Sequence, residues 1–112
     1  MKVVLVEPKK CARIVEIEDT LEAMQNTVGG LIEMVYPFFD FVALVCNEEG
    51  KILGLPPNRA LFTSEGELID IIYGSFFIVG CTEDGHTSLS DEQAIKYSQM
   101  FFAPEEFIIH DI

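Results

Sequence analysis

A continuous apolar run at residues 41–46, FVALVC, is the strongest constraint on what this 112-residue chain folds into. It has no polar residue on either side of the pleat, so it reads as a strand buried on both faces and therefore as the centre of a sheet. Other short runs rich in β-branched and aliphatic residues surround it in the sequence. Residues 3–6 form a first strand, and residues 13–18 alternate as a second, with a hairpin across residues 7–10. Residues 31–36 alternate Ile32, Met34 and Tyr36 against Leu31, Glu33 and Val35, and stop at Pro37. Asn47-Glu48-Glu49-Gly50 has turn composition, and residues 51–55 are expected to return as a strand. Pro56-Pro57 closes that strand, and Asn58 is expected to cap one turn of helix through Leu61. Residues 68–73 and 76–79 read as one long strand bent at Gly74.

Two helices interrupt this pattern. Asp19 stands three residues before Glu22, and Ser90 three before Gln93; both are capping-box spacings. Leu21, Met24 and Val28 share one face of the first helix, which Gly29-Gly30 ends. Ala94, Tyr97 and Phe101 share one face of the second. The expected fold is α+β: a twisted, mostly antiparallel sheet of five or six strands, with both helices on one face. A wholly β barrel with peripheral helices is the competing architecture. With 49% hydrophobic residues, the chain is of a size and composition to form a single domain over residues 1–112.

Charge narrows the partners. From Ile14 onward 18 acids face only Lys51, Arg59 and Lys96, within a net charge of −12. Such a surface repels a phosphate backbone, which argues against direct nucleic-acid binding and suits either solubility or an acidic face that meets a basic partner or imitates nucleic acid. The longest apolar stretch, residues 71–81, is broken by Gly74-Ser75 and is too short to span a membrane. The first residues lack the apolar core of a signal peptide, so a cytoplasmic location is expected. Cys11, Cys46 and Cys81 are odd in number, have no close pair, and read as small core residues.

Candidate chemistry is sparse. His86 and His110 have no second ligand at metal spacing, Glu48-Glu49 sits on a turn where carboxylates are solvated, and nucleotide or nucleophile motifs are absent from the sequence. No catalytic residue, cofactor or metal is assigned. Arg59 stands out as a rare cation after a rigid Pro-Pro. It pairs with a carboxylate such as Glu33 or Glu48, or it reads an anionic ligand such as a nucleotide from a pocket rim, with Asn58, Asn47, Glu48 and Glu33 as the other candidate ligand-binding residues. Phe38, Phe39 and Phe41 flank Asp40 in an unusually aromatic loop, which folds back on the core or forms a partner-binding patch.

The blocks LEAMQNTVGGLIEMVYP, LVCNEEGKILGLPPNRAL, IDIIYGSFFIVG and SLSDEQ cover most of residues 3–101. Through them the chain resembles the domain of unknown function 3846 family of small phage, plasmid and integrative-element proteins. The tail, residues 102–112, lies outside the resemblance. What the resemblance implies is a bacterial or phage cytoplasmic accessory protein, with no reaction attached. The expected function is a non-enzymatic binder of a host protein, in an anti-defence or regulatory role. The alternative is a small-molecule binder holding an anion near Asn58 and Arg59.

Overall fold

A computed structural model describes residues 1–108. The elements run β1 (Lys2–Val6), β2 (Arg13–Glu16), α1 (Leu21–Val28), β3 (Ile32–Val35), β4 (Val42–Asn47), β5 (Pro57–Phe62), β6 (Leu68–Tyr73), β7 (Phe76–Thr82), β8 (Gly85–Thr87) and α2 (Asp91–Met100). The fold is α+β. Six strands form one antiparallel sheet in the order β2-β1-β7-β4-β3, with β8 continuing the β1 side of β7, while β5 and β6 pair in a separate ribbon.

Every residue of β4 is buried, as its composition requires, and it lies one place from the central strand β7. Alternation then divides the core. Val3, Ala43, Val45, Phe77 and Val79 face Met24 and Val28 of α1. Their neighbours Val4, Val6, Leu44, Phe76 and Ile78 face Ala94 and Tyr97 of α2 and Phe101 just after it, together with Leu61 and Ile72 of the ribbon. The helices therefore cover opposite faces, not one. A run that is apolar at every position does not distinguish its two sides, so the side of each helix is not written in β4.

Local signals explain most boundaries. The N-cap of α1 is Thr20, one residue later than expected: its Oγ1 accepts the Ala23 N–H at 3.1 Å, while Asp19 bonds His86 instead. Gly29 ends α1 in the left-handed conformation, at φ 79°. Ser90 and Gln93 form the full capping box that starts α2.

Between β4 and β6 the expected order is wrong. The expected strand at residues 51–55 is absent: residues 51–54 are consecutive turns, held by the Leu53 N–H on the Glu49 carbonyl at 2.8 Å and the Leu55 N–H on that of Gly50 at 3.0 Å. The strand begins at Pro57, and Asn58 and Arg59 lie within it rather than in a helical turn. Proline lacks only its own N–H, so it is tolerated as the first residue of a ribbon strand. Gly74, at φ 83°, separates β6 from β7 instead of bending one strand. A Cβ at Gly74 would come within 2.7 Å of Leu55 Cδ1, so both the angle and the space call for glycine.

Cys11 is exposed, contrary to expectation, on the loop between β1 and β2; Cys46 is buried and Cys81 half-buried. Burial, with Glu33 and Asp70 nearby, pushes the Cys46 thiol up to about 11, so it stays protonated and inert. In the tail, residues 102–108 form no strand, and Ile109 and His110 lie outside the described residues. No helix among the described residues is long and apolar enough to cross a membrane.

Candidate functional site

Asn58 and Arg59 are interior residues, each 0% exposed. The Asn58 amide nitrogen donates to the carbonyls of Val6 (2.8 Å) and Gly74 (2.9 Å). Its side-chain oxygen accepts from Arg59 Nη1 at 2.8 Å. The guanidinium donates further to the carbonyls of Asn58, Lys10 and Phe101, the last through both Nε (3.2 Å) and Nη2 (3.0 Å). Its partners are these oxygens rather than Glu33 or Glu48. Burial lowers the Arg59 pKa and Glu105 opposes that shift; the reference value is so high that the side chain remains a cation. The pair thus ties together the end of β1, the β1–β2 loop, the Gly74 corner and the end of α2. Its donors point at the protein's own backbone, so an anion at a rim finds no free fork there.

The remaining candidate ligand-binding residues lie elsewhere. Glu33, Asn47 and Glu48 line a cleft of about 250 Å³ with Glu49, Lys51 and Asp70. Asn47 is buried, with its nitrogen on the Val28 carbonyl (3.2 Å) and its oxygen on the Glu49 N–H (2.8 Å), so it braces the turn after β4. Lys51 is paired with Asp70 at 2.6 Å, which leaves the cleft acidic. That charge does not suit an anionic ligand.

The aromatic loop is divided in its roles. Phe38 packs inward, its ring 5.0 Å from that of Tyr97 and 6.1 Å from that of Phe101. Phe39 and Phe41 point into solvent. Asp40 fastens the loop to α2: its carboxylate accepts from the Tyr97 hydroxyl (2.8 Å), Gln93 Nε2 (3.2 Å) and the Phe41 N–H (2.8 Å), with Lys96 at 3.9 Å. Partial burial alone would raise the Asp40 pKa, but these contacts outweigh it and hold the carboxyl below its ordinary value. Burial and Asp40 raise that of Tyr97.

Beside this loop runs an apolar groove of about 740 Å³, walled by Phe38, Phe39, Leu61, Phe62, Met100 and Glu105 among others. Sequence reasoning missed it because Pro56-Pro57 masked β5, whose residues form one wall. Phe62, Ile69 and Met100 are apolar residues that the structure leaves exposed there, a fact that sequence alone does not carry. Among the described residues, no three His, Cys, Asp or Glu side chains are grouped to hold a metal ion.

The family model described as Domain of unknown function (DUF3846) matches residues 1–102. The chain belongs to that family. The match takes in Asn58, Arg59, the aromatic loop and most of the groove, and ends before Glu105. No curated protein and no solved structure gives a significant match.

Proposed function

We propose that this member of the family is a non-enzymatic accessory protein of a phage or mobile element that binds a host protein in the cytoplasm. One observation carries the reading: Phe39 is fully exposed at the tip of a loop that Phe38 and Asp40 fix to the core, beside an open apolar groove. An aromatic side chain held in water by a preorganised loop suits an anchor, because little ordering entropy remains to be lost on docking. The excess of acids adds long-range attraction for a basic partner.

Pull-down from a bacterial host lysate tests this at about 0.05 M and about 0.3 M salt, a range over which surface electrostatics are progressively screened. The wild type is expected to retain a partner, less at high salt, and Phe39→Ala is expected to lose it while keeping the wild-type circular dichroism and melting temperature. Retention by Phe39→Ala equal to the wild type, or no partner at either salt, would count against the reading.

A further inference from the structure

Among the described residues strand β5 has one strand neighbour, β6, and its last three residues, Ala60, Leu61 and Phe62, line the groove. The Ala60 N–H points to that outer edge and donates to Glu105 Oε1 at 3.1 Å. This is where the carbonyl of an added strand would sit in a sheet ladder. A side-chain carboxylate there satisfies the donor without extending the sheet, which is one way an open edge is kept from pairing. The apolar side chains around it, Phe39, Phe62, Ile69 and Met100, remain uncovered.

Apart from the buried Arg59 cation, which Glu105 faces, the charge exposed at this edge is acidic. Glu105 belongs to the groove wall, and Glu65 and Glu106, neighbours in the chain of the wall residue Ser64 and of Glu105, are exposed. The one basic wall residue, Lys96, lies 3.9 Å from Asp40 and 5.2 Å from the Tyr97 ring centre, so its charge is already answered. An extended segment laid along β5 turns alternate side chains to opposite faces. One set enters the apolar groove and the other meets the acidic rim.

We infer that the outer edge of β5 docks an extended peptide segment of alternating apolar and basic residues, and that Glu105 holds the place of its carbonyl. This rests on the protein-binding reading above and specifies the partner's chemistry. Docking exchanges the Glu105 carboxylate for a main-chain carbonyl on Ala60.

The test titrates the isotope-labelled full chain with a synthetic octapeptide of alternating Val and Lys while backbone amide resonances are followed. The Ala60 amide is expected to shift and saturate. A Val–Glu octapeptide, and a Val–Lys octapeptide N-methylated at every second residue, are expected to bind at least about tenfold more weakly, since the first loses charge complementarity and the second loses the ladder. Glu105→Ala is expected to bind the Val–Lys peptide several-fold more tightly. An unmoved Ala60 amide, equal binding of the N-methylated peptide, or a Glu105→Ala protein that self-associates without tighter binding would each overturn the inference. A lysate partner lost in Phe39→Ala while Ala60 stays silent refutes edge docking alone. Ala60 docking with a partner indifferent to Phe39 refutes the anchor alone.

Discussion

Arg59 is a cation held in the interior by five hydrogen bonds to uncharged oxygens. Such a site is tolerable because the guanidinium is weakly hydrated and presents planar donors that several carbonyls meet at once. Phe101, which accepts two of these bonds, follows the last turn of α2, where the helix dipole favours a positive charge. Removing the side chain leaves the carbonyls of Lys10, Asn58 and Phe101 facing a cavity. Each buried polar group left unpaired costs about 1–3 kcal/mol, so Arg59→Met is expected to lose about 3 kcal/mol or more of unfolding free energy in urea. Arg59→Lys is also expected to lose stability, since one ammonium cannot span the three carbonyls. A loss below about 0.5 kcal/mol, the range of an ordinary surface substitution, would show that the knot is incidental. The sequence marked Arg59 as a rare cation, with Asn58 beside it, but did not reveal the role of the pair. Their partners are main-chain oxygens of residues distant in sequence, and side-chain pattern carries no record of those.

At the level of elements, the legible parts are those with a local cause. The α2 cap, the glycine end of α1 and the all-buried β4 follow from residues within a turn or a strand of one another. The ribbon is not legible because a proline pair signals the end of a strand whereas here it begins one, and because the Gly74 corner depends on Leu55, far along the chain. The aromatic loop is an intermediate case: its composition left open whether the rings fold back on the core or face a partner, and what divides them, Asp40 reaching Tyr97 and Gln93 on α2, is a tertiary contact. That contact has a pH dependence with a definite sign. The Asp40 pKa is depressed in the folded protein, so its contribution is present above the unfolded value of roughly 3.9 and is lost as pH falls through the lower folded value. The groups facing it are Tyr97, Gln93, Lys96 and the Phe41 N–H, of which only the carboxyl itself changes charge in this window. The chain contains no tryptophan, so Phe39→Trp supplies a single fluorescent reporter on the loop. Its anisotropy is expected to fall as pH drops below roughly 4, before the circular dichroism changes. In an added Asp40→Asn background it is expected to be low and flat with pH. An identical pH profile with and without Asp40→Asn would remove the clamp from the explanation.

For the whole molecule, charge was legible from composition and its consequence depends on size. Five of the seven basic side chains, Lys2, Lys10, Arg13, Lys51 and Lys96, already lie beside carboxylates. Pairing leaves the net charge of −12 unchanged, and it is spread over a body of 46 × 32 × 23 Å. At an ionic strength of 0.01 M the Debye length is about 30 Å, comparable to the molecule, so the acids repel one another across its full width. Near 0.15 M it shrinks to about 8 Å, and most of that repulsion disappears. The ion pairs sit well inside the Debye length at both salts, and exposed pairs of this kind contribute only about 0–1 kcal/mol each. Salt therefore removes more repulsion than attraction. The melting temperature is expected to rise by a few °C between about 0.01 M and about 0.15 M sodium chloride, the size of shift that follows from roughly 1 kcal/mol in a chain this long. A fall over the same range would show that the ion pairs outweigh the repulsion. Partner binding responds with the opposite sign, because salt screens the attraction between an acidic surface and a basic segment. Stability that rises and association that weakens over one salt series thus separates self-repulsion from recognition in a single protein preparation.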